Sequence, residues 1–324
     1  MKRIISALAV LVTAATLSAC QTTGEGVAWD LVPSKNQAVS TGPNGEKFPV
    51  HALCRAGVKG FIQAGNECLP FTEVAADLGS CDTVTGYVFV HGDDGIGDKW
   101  VNKFFRYMNT ERTPCAQYFT MARPGYPLMD GRQGSGDQRY RIGSTQVGST
   151  PEKVYAVAML LQSLKQKHPE IKTWSIIGSS SGSNIGGRIL GQYPGLAQGG
   201  FLLSGNFDLQ AWLDMHPEYT ATSIGNSLPA IDVVRNVPKD AVIFALTGTS
   251  DSNTDISLAE SYGDALTSAG VQHVRVGTFA GGHNLVLGRL DNPTTQKVAG
   301  YLTEYDQLLR KVAQDQASQQ AANK

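Results

Sequence analysis

From residue 87 onward the chain alternates between short, almost wholly apolar runs and longer segments whose apolar residues recur every three or four positions. Tyr87–Val90, Tyr118–Ala122, Trp174–Ile177, Gly200–Leu203, Ala241–Leu246 and Val274–Val276 have the continuous hydrophobicity of strands covered on both faces. Between them, Trp100–Met108, Val154–Leu164, Ile185–Tyr193 and Leu258–Ala269 read as helices, and Thr294 to about Ala313 reads as a final amphipathic one. This alternation predicts an α/β domain with a mostly parallel central sheet and helices on both faces. Open sheets of this kind place their ligands beyond the carboxyl ends of the strands, so the loops that follow the apolar runs are where chemistry is sought.

One such loop is Gly178-Ser179-Ser180-Ser181-Gly182, a G-x-S-x-G pattern between the strand Trp174–Ile177 and a helix. A serine on so sharp a turn takes a strained backbone, and the flanking glycines let strand and helix approach without Cβ clashes. A serine hydroxyl is a poor nucleophile at neutral pH unless a base accepts its proton and a third group holds that base. Asp251 follows the strand Ala241–Leu246, and His283, in Gly281-Gly282-His283, follows Val274–Val276. The chain therefore supplies Ser, Asp and His in that order, each after a strand. Asp208, after the strand ending at Leu203, is a rival for the acid.

On these residues, together with His91-Gly92-Asp93 and Ala122-Arg123-Pro124-Gly125-Tyr126, the sequence resembles the α/β-hydrolase superfamily over roughly residues 82–312. The resemblance implies a serine hydrolase with Ser180 as nucleophile, His283 as base and Asp251 as the orienting acid. It further implies an oxyanion hole built from the backbone N–H groups of Asp93 and Ser181. The loop reads His91-Gly92-Asp93-Asp94-Gly95, and a carboxylate about 4 Å from a developing oxyanion would cost roughly 4 kcal/mol at an effective dielectric near 20. Asp93 and Asp94 are therefore expected to turn away and serve the local backbone, with Asp94 or Asp98 serving the helix from Trp100. The alternative is a binding role toward a cationic substrate group. Between Asp208 and Asp240 there is room only for a small lid, which Trp212, Met215 and Tyr219 could line.

The chain opens with Met1-Lys2-Arg3, an apolar run from Ile4 to Thr16, and Leu17-Ser18-Ala19-Cys20. This is the layout of a secretory signal, too short to span a bilayer comfortably. The tetrapeptide resembles the bacterial lipobox, which implies cleavage before Cys20, lipidation of Cys20 and retention in the cell envelope. Gln21 in place of Asp leans toward the outer membrane, facing the periplasm. Four cysteines remain, Cys54, Cys68, Cys81 and Cys115, an even number that favours two disulfides in an exported protein. Four cysteines permit three connectivities and sequence alone does not choose among them; the pairing expected here is Cys54–Cys68 with Cys81–Cys115.

The expected organisation is a signal peptide over 1–19, a lipid-anchored tether over 20–47, a Cys-containing segment of irregular structure or edge strands over 48–81, the hydrolase domain over 82–312 and a flexible tail over 313–324. The net charge of −1, or −3 once Lys2 and Arg3 leave with the signal, gives no footprint for nucleic acid. No histidine or cysteine pair has metal-ligand spacing, and the expected chemistry needs no cofactor. The function that follows is hydrolysis of a small acyl ester through an acyl-enzyme intermediate. A serine peptidase on the same scaffold and a non-catalytic surface-binding lipoprotein are the alternatives, and the oligomeric state is left open.

Overall fold

The structure, a computed structural model, describes residues 39–41, 47–49, 54, 57–95, 98–136, 148–283 and 287–322. The expectations for the signal peptide, for Cys20 and for most of the tether lie outside the described residues. In chain order the strands are β1 (Val39–Thr41), β2 (Lys47–Pro49), β3 (Phe61–Ala64), β4 (Glu67–Glu73), β5 (Thr85–Val90), β6 (Ala116–Met121), β7 (Thr173–Ser179), β8 (Gly199–Leu203), β9 (Val242–Gly248) and β10 (His273–Phe279). The helices are α1 (Asp98–Glu111), α2 (Pro151–Lys167), α3 (Ser181–Gln192), α4 (Leu209–Met215), α5 (Ala221–Ile224), α6 (Ile256–Ser268) and α7 (Pro293–Ala322), with a 3-10 turn over Ala230–Asn236.

Strands β3 to β10 form one sheet in the order β10-β9-β8-β7-β5-β6-β4-β3, whose run from β10 to β6 is parallel throughout. Each predicted apolar run lies in a strand to within one residue, Ala122 and Ala241 falling just outside β6 and β9, and every residue of β5, β6, β8 and β9 is buried, which is why those segments carry no polar alternation. From β5 the chain passes first to β6 on one side and then, through α2, to β7 on the other. Strand order reverses there, which is the position at which open α/β sheets place their ligands.

The sheet also takes in residues upstream of the expected boundary at 82. β3 and β4 form an antiparallel hairpin across Gly65-Asn66, with Gly65 at φ 63°, and β4 adds antiparallel to β6. Cys54–Cys68 staples this hairpin, and Cys81–Cys115 joins the approaches to β5 and β6. Both pairings are the expected ones.

Helix α7 buries Val298, Leu302, Tyr305 and Leu309 at helical spacing. Its polar contacts are also internal: the Tyr305 and Ser175 hydroxyls are 2.7 Å apart, and the Tyr87 hydroxyl donates to Asp306 at 2.7 Å. The helix continues to Ala322, past the expected end near Ala313 and through what was expected as a flexible tail. The extension is rich in Gln and Ala, residues of good helix propensity, and its last turns are exposed. The two ends of α7 should therefore differ in energetic weight. Leu302→Ala is expected to cost about 2–5 kcal/mol in urea unfolding, and Gln319→Ala less than about 0.5 kcal/mol.

Candidate active site

Ser180 sits between β7 and α3 with φ 55° and ψ −127°, a conformation that costs a non-glycine residue on the order of 1–3 kcal/mol. Close packing enforces it. A Cβ on Gly182 would lie 2.1 Å from the Val90 carbonyl oxygen and 2.6 Å from that of His91, and a Cβ on Gly178 would lie 2.5 Å from the Ser183 Cα. Backbone atoms on both sides leave no room to yield, so the two glycines of the motif are steric requirements of the turn. Gly92 closes over the serine from the β5 loop, where an added Cβ would come within 2.8 Å of the Ser180 Cβ.

The structure brings Ser180, His283 and Asp251 together in one hydrogen-bonded line. The Ser180 hydroxyl lies 3.0 Å from His283 Nε2, and His283 Nδ1 lies 3.1 Å from both carboxylate oxygens of Asp251. With Nδ1–H donating to the carboxylate, Nε2 is the free acceptor that faces the serine. Asp251 is buried and fully engaged: Oδ1 accepts from the backbone N–H groups of Asn253 at 3.0 Å and Thr254 at 2.8 Å, and Oδ2 accepts from the Thr254 hydroxyl at 2.9 Å. Burial alone would raise its pKa. His283 and the Thr254 backbone N–H outweigh that effect and pull it down to about 2, so the group is a carboxylate at any ordinary pH.

Thr254 was not singled out from the sequence, although its place three residues after Asp251 suits an Asx-type turn. Asp208, the rival acid, caps α4 instead, with Oδ1 accepting from the backbone of Gln210 and Ala211 at 3.0 Å each. Of the three residues considered for a lid, Trp212 is buried and donates through Nε1 to Asn253 at 3.1 Å, Tyr219 packs beside it, and Met215 is exposed. Helix α4 thus braces the Asp251 loop through Trp212.

Asp93 does not cap its own turn: the backbone N–H it accepts from is that of Gly148, 55 residues on, at 3.1 Å to Oδ1. Its principal partner was not expected. Arg123, wholly buried, donates through Nη2 to Asp93 Oδ1 at 2.7 Å. Burial works against the guanidinium charge, but Tyr126 and Asp93 hold the pKa above its usual value. His91 is buried alongside. Its Nδ1–H donates to the Gly92 carbonyl at 2.7 Å and its Nε2 accepts from the Arg123 N–H at 3.1 Å. Burial, reinforced by Arg123, lowers the His91 pKa well below its usual value and keeps the ring neutral. Asp94 is exposed in the turn closed by the Gly95 N–H on the Gly92 carbonyl at 3.3 Å, and Asp98 falls inside α1 rather than before it. Ser181 is the first residue of α3, where backbone N–H groups have no partner within the helix. Among the described residues no cluster of His, Cys, Asp and Glu is arranged to hold a metal ion.

No family model matches the sequence, and no curated protein sequence does. Solved structures do match the fold. An esterase of Pyrococcus furiosus superposes with TM-score 0.55 at 11% identity, covering 76% of this chain and 89% of its own. Acylaminoacyl peptidase of Pyrococcus horikoshii gives 0.56 at 13%, covering 81% of this chain but only 44% of its own. A monoacylglycerol lipase of Paleococcus ferrophilus gives 0.50 at 13%, covering 73% and 99%. At such identities the likeness establishes the architecture: this chain has the α/β-hydrolase fold.

The hydrogen bonding of Asp251 has a measurable consequence for stability. Its depressed pKa contributes on the order of 2 kcal/mol above the unfolded value near 4, a contribution lost as pH falls through the folded value near 2. In urea titrations the stability gap between the wild type and Asp251→Asn should be widest above pH ~5 and should narrow as pH is lowered from about 4 toward 2.

Proposed function

We propose that this chain is a serine hydrolase that cleaves carboxylic esters through an acyl-enzyme intermediate, with Ser180 as nucleophile, His283 as general base and acid, and Asp251 as the orienting carboxylate. The observation that carries the reading is the line Asp251–His283–Ser180 at 3.1 and 3.0 Å, aimed at a strained serine beneath the β5 loop. In the first half-reaction His283 Nε2 takes the hydroxyl proton as Ser180 Oγ attacks the acyl carbon. The imidazolium, stabilised by Asp251, then protonates the departing alcohol. In the second half water attacks the acyl-serine by the same relay. Backbone N–H groups of Asp93 and Ser181 would receive the developing oxyanion.

The ester reading draws support from the small insertion between β8 and β9, which holds only two short helices and a 3-10 turn. A peptide bond is the competing substrate, and the test separates the two. Ser180→Ala should abolish labelling by a fluorophosphonate probe and lower kcat by several orders of magnitude. Wild-type protein assayed on matched acyl and aminoacyl chromogenic substrates should prefer the esters. Labelling that persists in Ser180→Ala would remove the assignment, and preference for aminoacyl amides would replace the ester reading with a peptidase.

The same proposal places the protein in the bacterial cell envelope, anchored by lipid on Cys20 and facing the periplasm from the outer membrane. The support is the order of charged start, apolar run and Leu17-Ser18-Ala19-Cys20, joined by two disulfides suited to an oxidising compartment. Cys20→Ser should abolish incorporation of labelled palmitate and release the protein from the membrane fraction. A wild-type protein that takes up no palmitate and fractionates as soluble would contradict the anchor.

A further inference from the structure

Arg123 stands out as a buried charge that the relay does not use. It closes β6 into the next turn, and its side chain has no exposure. Nη1 donates to the Ser181 hydroxyl at 3.0 Å, while Nη2 donates both to the Gly92 carbonyl at 3.0 Å and to Asp93 Oδ1 at 2.7 Å. The residue's own N–H reaches His91 Nε2 at 3.1 Å. All of these contacts fall on two short segments: His91-Gly92-Asp93, which leaves β5, and Ser181, which follows Ser180. These are the segments whose N–H groups the proposed mechanism requires for the oxyanion.

We propose that Arg123 is a positioning residue that fixes the spacing of the two halves of the oxyanion hole, a role that rests on the serine-hydrolase reading above. The planar guanidinium spans both segments with donors in a fixed fork, so their separation is set by covalent geometry. The arrangement also accounts for Asp93. A carboxylate on an oxyanion loop would oppose the developing charge, and Arg123 draws it aside while neutralising it. His91 completes the frame, because its neutral ring bridges the Gly92 carbonyl and the Arg123 backbone. Such a clamp acts on the transition state, where charge collects on the acyl oxygen, and leaves ground-state binding largely untouched.

The test uses the full chain and compares wild type with Arg123→Met, Arg123→Lys, Asp93→Asn and Ser181→Ala. The readouts are kcat and KM on p-nitrophenyl acetate, with active sites counted by fluorophosphonate labelling, and Ki for a trifluoromethyl ketone, whose hemiketal places an oxyanion in the hole. Arg123→Met should lower kcat roughly 10–100-fold with KM changed less than about threefold, and Ki should rise in step with the fall in kcat/KM. Arg123→Lys should fail to restore kcat, because a single ammonium cannot span both segments. Ser181→Ala releases one arm, while Asp93→Asn keeps the acceptor but removes the opposing charge, and both should show the same pattern at smaller size. These two decide the matter if the Arg123 variants do not fold. A purely structural role would lower the melting temperature while kcat per labelled site and Ki stayed at wild-type values, and that result would overturn the proposal. Rescue by Arg123→Lys would overturn it too, since charge alone would then suffice. Wild-type protein that neither labels nor turns over would overturn the hydrolase reading and this inference with it. Unchanged variants of an active wild type would overturn this inference alone.

Discussion

The packing of α3 against the end of β5 sets everything else at the carboxyl edge of the sheet. Gly182 lies so near the Val90 and His91 carbonyl oxygens that any side chain there would have to displace backbone. Because the first turn of α3 is pressed into that position, Ser180 takes its left-handed conformation and its hydroxyl is raised from the sheet toward His283. The strain at one residue is offset by burial throughout β5, β7 and α3. A strained group held by a rigid frame is already oriented before any ligand arrives, which lowers the entropic cost of reaching a reactive geometry.

Two polar systems grow out from that contact, and they differ in kind. On one side, Asp251 is held by Asn253, Thr254 and His283 in a local turn at the end of β9. On the other, Arg123, at the end of β6, gathers residues from the ends of β5 and β7 around one buried charge. In the first, the Asn253 and Thr254 contacts are short-range in sequence and only His283 comes from another strand end. The second spans residues 91 to 181 and forms only when β5, β6 and β7 lie side by side. Removing Asp93 from this pair is costly, because it leaves the wholly buried Arg123 charged and desolvated.

Much of this was legible from the residues. Strands buried on both faces announce themselves as unbroken apolar runs, and β5, β7, β8 and β9 lie where such runs predict. Ser180, Asp251 and His283 were found because each follows a strand and because the chemistry demands that trio. What escaped notice depends on pairings that leave no periodic trace. Strand β4, read from the sequence only as irregular structure or an edge strand, carries a proline and a cysteine within ECLPFTE, and its place beside β6, with Phe71 opposite Met121, is not written in its own pattern. The Arg123 clamp joins residues 30 and 58 positions apart, and nothing in the local composition of either partner signals it. Helix α7 extends through a polar stretch because propensity alone suffices where no packing is required.

The order in which these parts leave the ribosome gives the site a temporal property. Ser180 is made well before Asp251 and His283, and the helix that backs the sheet, α7, comes last. A nascent chain that stops short of residue 283 has Ser180 without its His283 partner. One that has His283 but not α7 still lacks the Tyr87–Asp306 and Ser175–Tyr305 contacts that seat this helix against β5 and β7. The Ser180–His283 contact is therefore the last of the site's own pairings to become available, and the contacts that seat α7 follow it.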